Sequence, residues 1–290
     1  MRKHMKTALI IDVQNLAYRA LYSVGKLEFN GTPTGVLYGM YRTLDWLHYE
    51  YQVSEYAFCF DTRYPKRAEM YPEYKENRKL LREKEPEKKR KEREGMYEQV
   101  RAFYDLLPKM GAKNVFAERG YEADDLMASC VENLPDDIDR AFLVTSDEDL
   151  RQCLQGHRVY QYMPSKKATY SERQLLEEYG IVPAQIPCMK AWAGCSSDNI
   201  EGLRNIGPKK ACQFLLGKYP KPEHFTDHVE TYTRNIQLTR LPLPGTPKCK
   251  WTLGSPISWE PVLELIGADA KFPPFLKGVG YSRKEPSENE

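Results

Sequence analysis

The sequence has no long apolar run and no Cys-x-x-Cys pair, and each absence excludes a class of protein. A membrane-spanning helix needs about 18 consecutive apolar residues, whereas the apolar run nearest the N-terminus covers only residues 8–11. The cysteines are irregularly spaced, which argues against a zinc ribbon and for reduced thiols in the cytoplasm. The basic N-terminus leads directly into a strand-like segment, so a secretory signal is not expected. The sequence therefore predicts a cytoplasmic protein that does not bind a membrane.

The chain of 290 residues has 41% hydrophobic and 29% charged residues, a balance typical of a folded globular protein. Its net charge of +2 conceals an uneven distribution. Residues 118–149 contain eleven acidic and two basic side chains, and they are interleaved with apolar residues, unlike a solvated tail. Residues 75–94 contain ten basic and six acidic side chains, and residues 201–250 contain nine and four. One acidic block therefore lies between two basic ones.

Short apolar runs alternate with longer segments of helical spacing in the first half of the chain. This order implies an α/β fold, in which a mostly parallel sheet carries helices on both faces. The expected helices include residues 36–51 and 96–110. The expected strands are residues 8–11, 57–60, 114–117 and 141–145.

The composition changes beyond Pro183, where Gly, Pro and Lys become frequent. We therefore expect an α/β core over residues 1–182 and a smaller helical subdomain over residues 183–290. From Pro242 onward the chain is rich in proline, and we expect irregular structure there, with a frayed tail over residues 282–290.

Residues 75–94 are nearly free of apolar side chains, so they cannot pack into a core. They form either a mobile charged loop or a helical arm over a polyanion, and their excess of positive charge suits the second. Pro86 would interrupt a single continuous helix.

Aspartates follow three of the four expected strands, at Asp12, Asp61 and Asp147. Each alone could be a helix N-cap, but ligands of open parallel sheets bind at the carboxyl ends of the strands. So many carboxylates at one place would repel unless cations compensate, and oxygen ligands without His or Cys select Mg²⁺ or Mn²⁺. Two such ions about 4 Å apart form the clamp used to hydrolyse phosphodiesters. Further carboxylates that support the same interpretation are Glu122, Asp124, Asp125, Asp149 and Asp198.

The order of short motifs along residues 8–242 resembles that of the 5′-nuclease superfamily, which comprises flap endonucleases and 5′→3′ exonucleases. It is similar both to the stand-alone enzymes of tailed phages and to the N-terminal nuclease domain of bacterial family A DNA polymerases. The motifs are Ile11-Asp12 with Asn15 and Arg19, Phe60-Asp61, Tyr71-Pro-Glu-Tyr-Lys75-Glu-Asn-Arg78, Glu122-Ala-Asp-Asp125, Thr145-Ser-Asp-Glu-Asp149, Gly194-Cys-Ser-Ser-Asp-Asn-Ile200 and Gly207-Pro-Lys-Lys-Ala211.

The resemblance implies two metal sites. The first would be held by Asp12, Asp61, Glu122 and Asp124, with Asp125 close by, and the second by Asp147, Asp149 and Asp198. Mg²⁺ is the expected ion at both, and Mn²⁺ is expected to substitute for it.

The resemblance also implies residues that contact DNA. Lys75 and Arg78 would contact the scissile phosphate at the base of an arch, residues 75–100, that admits the 5′ single strand. Tyr74 would stack on a base, and Arg19 would lie near the site.

Residues 200–215 resemble the helix-hairpin-helix of the family. Gly202, Gly207, Lys209 and Lys210 would contact the DNA backbone there, and a K⁺ ion would be shared with it. Asn205 stands where the hairpin usually carries glycine, and asparagine tolerates the positive φ that such a turn requires.

These features predict a metal-dependent 5′→3′ exonuclease and 5′-flap endonuclease, acting as a monomer on branched or 5′-flap DNA. RNA primers in RNA–DNA hybrids are a further expected substrate, and a replicative polymerase is a candidate partner. Cys195, where the family usually has aspartate, leaves open a second interpretation, because a thiol is a poor Mg²⁺ ligand. The alternative is a flap-DNA-binding protein with weak or no catalysis. A ribonuclease on a similar acidic scaffold is disfavoured, because such domains commonly lack the arch and the hairpin.

Overall fold

A computed structural model describes residues 5–254 and 256–267 of the chain. Six strands form the main sheet, and two short ones form a separate hairpin. The strands are β1 (Thr7–Asp12), β2 (Glu28–Phe29), β3 (Thr32–Pro33), β4 (Val53–Cys59), β5 (Asn114–Phe116), β6 (Arg140–Val144), β7 (Val159–Met163) and β8 (Ala168–Tyr170).

The main sheet has the order β5-β4-β1-β6-β7-β8. Every neighbouring pair is parallel except β7 and β8, which are antiparallel. The expected strands near residues 8, 57, 114 and 141 are confirmed as β1, β4, β5 and β6. Strands β7 and β8 were missed, because tyrosine and glutamine in β7 interrupt its apolar run and β8 has only three residues.

Helices cover both faces of the sheet, which confirms the predicted α/β architecture. Leu9 and Phe58 point to one face and pack with Leu16 and Leu44, while Ile10 points to the other and packs with the helix that follows β5. The helices are α1 (Val13–Val24), α2 (Gly35–Tyr51), α3 (Lys66–Met70), α4 (Glu76–Glu83), α5 (Glu87–Leu106), α6 (Ala123–Glu132), α7 (Glu172–Tyr179), α8 (Ile186–Ala193), α9 (Pro208–Leu215), α10 (Glu223–Thr226), α11 (Val229–Thr239) and α12 (Glu260–Ile266).

The charged segment after Tyr74 is helical. Pro86 separates α4 from α5 and acts as the N-cap of α5, as its fixed φ and missing N–H lead one to expect. The first part of α5 is exposed, whereas Met96, Val100 and Phe103 in its second part are buried in the core. The arm is therefore a helical pair anchored at one end to the α/β core.

The chain after α11 returns to the α/β core. Leu243 and Cys249 are buried against β1, β4 and α6, and Val262 of α12 packs into the opposite face of the sheet. The irregular structure expected from Pro242 onward is confirmed up to residue 259, since the described residues there contain no helix or strand before α12. This irregular segment packs on the α/β core, and the expected helical subdomain over residues 183–290 stays a prediction. The boundary near residue 182 stays a prediction, and the expected frayed tail lies outside the described residues.

Within the described ranges, none of the helices combines the length and the apolar character that crossing a membrane requires.

Candidate active site

Three aspartates meet at the carboxyl edge of the three adjacent strands β4, β1 and β6. Asp12 ends β1, Asp61 follows β4, and Asp147 follows β6. Their oxygens also cap local backbone: Asp12 Oδ1 accepts from the Asn15 N–H at 2.9 Å, and Asp147 Oδ1 accepts from the Asp149 N–H at 2.9 Å. Thr145 Oγ1 donates to Asp12 Oδ2 at 3.2 Å. Asp12 and Asp147 are therefore N-caps as well as members of this group, whereas Asp61 accepts from the distant Ala123 N–H at 2.8 Å. We call Asp12, Asp61 and Asp147 the central aspartates.

Asp61 and Asp147 lie close enough to Asp12 for their charges to act on it. Burial, and then the charges of Asp61 and Asp147, raise the pKa of Asp12 to about 7. Desolvation by the surrounding protein raises the pKa of Asp61, and the charge of Glu122 adds to it, against a hydrogen bond from the Ala123 N–H. Carboxylates whose charges raise the pKa of a neighbour in this way form a site of concentrated negative potential.

A first acidic cluster, Glu122, Asp124 and Asp125, lies at the start of α6, where its candidate ligand atoms are within 4.8 Å of one another. The helix N-terminus favours negative charge at this position. Burial, and then the charge of Asp125, raise the pKa of Asp124 well above its ordinary value. Although burial opposes ionisation of Glu122, the charges of Lys75 and Arg67 lower its pKa.

Asp125 has a different environment from the other two members of this cluster. It is fully buried, and Arg67 forms a bidentate pair with it, Nη1 to Oδ2 at 2.6 Å and Nη2 to Oδ1 at 2.7 Å. The Leu243 N–H donates to Asp125 Oδ1 at 2.7 Å. Both carboxylate oxygens are therefore occupied by protein donors, so Asp125 fits a structural role next to the metal site rather than ligation.

A second cluster, Asp149, Cys195 and Asp198, also has its candidate ligand atoms within 4.8 Å of one another. Asp149 and Asp198 are held by two short 3-10 helices, Glu148–Cys153 and Ser196–Asp198. The thiol of Cys195 lies 3.5 Å from Asp198 Oδ2. Lys190 of α8 forms an ion pair with Asp149. The sulfur thus lies inside the group expected to hold the second metal.

Lys75 and Arg78 lie between the two clusters. Lys75 Nζ donates to Glu122 Oε1 at 2.5 Å and lies 3.7 Å from Asp198 Oδ1. Arg78 Nη2 donates to Asp198 Oδ1 at 2.7 Å. Burial opposes the charged form of Lys75, but the carboxylates of Glu122 and Asp198 raise its pKa. The structure therefore brings the two expected phosphate contacts to the acidic residues, at the base of the helical arm.

The structure contradicts the base-stacking role expected for Tyr74. Its side chain is only 5% exposed and packs with Ile200 and Leu238, residues from distant parts of the chain. Its hydroxyl donates to Glu122 Oε2 at 2.8 Å. Tyr74 therefore orients a candidate metal ligand, and a base cannot reach its ring in this structure. Arg19 lies half-buried on α1, and its role near the site stays a prediction.

Arg67 and Lys190 were missed by the sequence analysis. Arg67 is 1% exposed, and its Nε donates to the Leu238 carbonyl at 2.9 Å. Nothing in the sequence distinguishes either residue from the many surface lysines and arginines. They are identified only by their buried partners, Asp125 and Asp149, which the fold brings to them from distant parts of the chain.

The hairpin has the geometry that its glycines require. A Cβ at Gly202 would lie 2.3 Å from the Gly194 nitrogen, so only glycine fits there. Asn205 has a φ of 63°, which confirms the expected left-handed turn. Gly207 is the N-cap of α9, where Lys209 and Lys210 are exposed. Contact of these residues with DNA and K⁺ stays a prediction.

The donor sets decide which metals fit. The central aspartates with Glu122 and Asp124 offer only carboxylate oxygens, the donors that Mg²⁺ and Mn²⁺ prefer. The second cluster adds a sulfur and a competing ammonium group, from Lys190. Acidic clusters suited to divalent metals are therefore present, and the first fits Mg²⁺ better than the second.

The comparisons with known proteins agree with this geometry. Residues 7–180 match the family described as 5′-3′ exonuclease, N-terminal resolvase-like domain. The chain is 30% identical over 236 residues to DNA polymerase I of Mycobacterium leprae, a match that covers 79% of this chain and 24% of the polymerase. It is 28% identical over 228 residues to a 5′-3′ exonuclease of Buchnera aphidicola subsp. Schizaphis graminum, covering 78% of this chain and 75% of that protein.

The fold is similar to that of the T5 5′-exonuclease with bound zinc ions, with a TM-score of 0.70 and 23% identity over 81% of this chain and 90% of that one. The chain spans about a quarter of the polymerase and three quarters of the Buchnera exonuclease. The family match alone covers more than half of the chain and contains the central aspartates and the first cluster. The chain belongs to the 5′-3′ exonuclease family.

Proposed function

We propose that this protein is a divalent-metal-dependent nuclease that hydrolyses phosphodiester bonds of DNA, as a 5′→3′ exonuclease and a 5′-flap endonuclease. The observation that carries the proposal is the convergence of the central aspartates beside the first acidic cluster, with Lys75 joining that cluster to the second. Family membership supports the same chemistry. Branched or 5′-flap DNA is the proposed substrate, and RNA primers in RNA–DNA hybrids are a further one.

Two divalent cations, Mg²⁺ or Mn²⁺, would occupy the site. Asp12, Asp61, Glu122 and Asp124 would hold the first, and Asp147, Asp149 and Asp198 the second. When bound, such ions supply an activated water and stabilise the leaving oxygen. The donor chemistry of the first group supports this assignment, since all its ligand atoms are carboxylate oxygens.

The basic side chains of Lys75 and Arg78 have a role in the proposal as well. Lys75 and Arg78 neutralise Glu122 and Asp198 in the structure. Cations held by those carboxylates would satisfy their charge, and the two basic side chains would then be free to bind a substrate phosphate. The arm that begins with α4 has an excess of positive charge, which favours the approach of a nucleic acid strand.

The helix-hairpin-helix would hold duplex DNA by its backbone. Lys209 and Lys210 are exposed, and Gly207 opens α9 with free space around it. These features support contact with the sugar-phosphate backbone, together with a K⁺ ion at the turn. A polymerase partner and a monomeric state are further proposals.

A second candidate function is a flap-binding protein with weak catalysis. Cys195 in the second cluster and the ion pair of Lys190 with Asp149 favour it, because both weaken a site for Mg²⁺. The two functions differ in whether bound flaps are cut.

A labelled 5′-flap, titrated with Mg²⁺ and separately with Mn²⁺, tests the proposal. The wild-type protein should cut the flap, and Asp147→Asn should reduce the rate by at least about 100-fold, since it removes a ligand charge. Asp105→Asn, at an exposed position on α5, is the matched control and should leave the rate unchanged. Tight flap binding with no cleavage under either metal would establish the second candidate. Single-stranded RNA and an RNA–DNA hybrid, tested in parallel, define the substrate class.

A further inference from the structure

A short closed loop, residues 195–200, holds Asp198 of the second cluster, and we call it the Asp198 loop. The Cys195 N–H donates to the Ile200 carbonyl at 2.8 Å, and the Ile200 N–H donates to the Cys195 carbonyl at 2.9 Å. These two hydrogen bonds close the neck of the loop. The 3-10 turn Ser196–Asp198 forms its tip, where both serines are exposed. The loop's own backbone therefore fixes its neck, while the position of its tip depends on contacts from elsewhere.

The start of the arm provides those contacts through residues 73–78, which we call the arm base. All three carbonyl groups of the turn accept a hydrogen bond from the arm base. The donors are Asn77 Nδ2 to Ser196 at 2.8 Å, Arg78 Nε to Ser197 at 3.0 Å and the Lys75 N–H to Asp198 at 2.9 Å. Because 119 positions separate Asn77 from Ser196, the tip of the loop is fixed by a long-range contact with the arm.

The Asp198 loop also donates to the arm base. Asn199 Nδ2 donates to the Glu73 carbonyl at 2.8 Å. Asn199 and Lys75 both have a left-handed backbone, with φ of 57° and 56°. This conformation is unfavourable for lysine and persists where the surroundings hold it. Each segment thus has a left-handed residue that donates a hydrogen bond to the other segment.

The donors of this contact differ in charge. Arg78 also donates to the Asp198 carboxylate, and Lys75 Nζ lies 3.7 Å from that carboxylate. Under the proposed function, both basic side chains leave Asp198 when a divalent cation binds, and they turn to the substrate. Asn77 and Asn199 instead donate from neutral amides to backbone carbonyls, so a cation at the carboxylate does not compete with them. These two amides would still hold the loop after the ion pairs have been released.

We infer that Asn77 and Asn199 are positioning residues for the second metal site. They hold Asp198 at the place where it can share a divalent cation with Asp149, which another 3-10 helix presents. Cys195 is a poor ligand for Mg²⁺, so the site depends on the placement of its carboxylates. Outer partners of metal ligands typically change metal affinity about 10- to 100-fold. The inference rests on the proposed function, which places a cation in this cluster.

Two variants of the full chain remove these amides. Asn199→Gly removes the side chain and keeps the left-handed conformation accessible. Asn77→Leu replaces the amide by an apolar group of similar size. The matched control is Asn30→Gly, which makes the same change at another left-handed asparagine, with φ of 50°, in the exposed turn between β2 and β3.

Binding of Mn²⁺ to the DNA-free protein, followed by electron paramagnetic resonance, measures the effect without catalysis. The wild type should bind one tighter and one weaker ion, and Asp198→Asn should abolish the weaker one, which assigns it to the second cluster. Asn199→Gly and Asn77→Leu should each weaken that ion about tenfold and leave the tighter one unchanged. The Mg²⁺ concentration for half-maximal flap cleavage should rise by a similar factor, while the flap affinity in EDTA stays unchanged.

Weaker Mn²⁺ binding in both variants, with wild-type binding in Asn30→Gly, supports the inference. Wild-type Mn²⁺ affinity in either variant overturns it, even where urea unfolds that variant more easily, because the amide would then only stabilise the fold. An equal loss of affinity in Asn30→Gly overturns it as well. A protein that cuts flaps but binds only the tighter ion overturns the inference and leaves the proposed nuclease standing. A protein that binds both ions as expected but cuts nothing refutes the nuclease and leaves the inference standing.

Discussion

The two acidic clusters are similarly buried, but the arginines that pair with them differ in exposure. The cation of the first cluster, Arg67, has a side chain that is 2% exposed, whereas Arg78 at the second cluster is 43% exposed. The first cluster is closed by Tyr74 and by backbone groups, and the second contains a thiol. Breaking a buried ion pair leaves an uncompensated charge and lowers the stability of the protein strongly, whereas losing an exposed arginine from its ion pair lowers the stability little. A buried arginine therefore pairs with the first cluster, and a partly exposed arginine pairs with the second.

The largest expected effect is on stability, from removing the buried cation. Arg67→Met should lower the free energy of unfolding by about 3–5 kcal/mol, because Asp125 keeps a buried charge without a partner. Arg78→Met should lower it by less than about 1 kcal/mol. Urea unfolding with circular dichroism measures both. Arg63→Met, an exposed arginine four positions before Arg67, is the control. Similar losses for Arg67→Met and Arg78→Met would show that the clusters do not differ in this way.

The next effect concerns the metal preference of the second cluster. Cys195→Asp should lower the Mg²⁺ concentration for half-maximal cleavage about tenfold, which corresponds to about 1.4 kcal/mol, since a carboxylate replaces a poor ligand. Cys195→Ser removes the sulfur without adding charge and should give no such gain. Unchanged metal dependence in Cys195→Asp would show that this position does not face a metal.

A smaller effect on stability is expected when the Tyr74 hydroxyl is removed. Tyr74→Phe removes the hydroxyl that donates to Glu122 and should destabilise the protein by about 1 kcal/mol. DNA affinity should stay unchanged, because the ring is buried. Tyr64→Phe, at a side chain that is 74% exposed, should change neither quantity. A large fall in DNA affinity for Tyr74→Ala at unchanged stability would restore the stacking role.

The last effect is a pH dependence of the metal-free protein. The folded state keeps the Asp12 proton up to a pKa of about 7, whereas the ordinary value is 3.8. Between these values the folded state binds more protons than the unfolded state, so this group makes stability fall as pH rises from about 4 to 7. Denaturant unfolding in EDTA at several pH values measures the slope, and Asp12→Asn should make it less negative. An identical slope in both proteins would contradict the raised pKa.

The sequence predicted the frame of the site because its signals are local. An apolar strand followed by aspartate identifies Asp12, Asp61 and Asp147 without tertiary information, and Pro86 breaks the arm where a fixed φ requires it. The left-handed turn at Asn205 follows from local chemistry in the same way.

The burial of Tyr74 and Arg67 could not be predicted in this way. Tyr74 is covered by Ile200 and Leu238, more than a hundred positions away in the chain. A tyrosine beside a lysine has the same sequence pattern whether it lies on a surface or beneath one. Contacts between distant parts of the chain decide which residues orient the site. The periodicity of a single sequence does not reveal such contacts.

The hydrogen bonds from Arg67 of α3 to the Leu238 carbonyl and from the Leu243 N–H to Asp125 of α6 join these two helices to a segment more than a hundred residues later. Contacts over such a separation form slowly during folding, because a long loop must close first. A growing polypeptide cannot complete the buried network until residue 243 has left the ribosome. The acidic residues around Asp125 would therefore reach their fixed arrangement only after that later segment has been made.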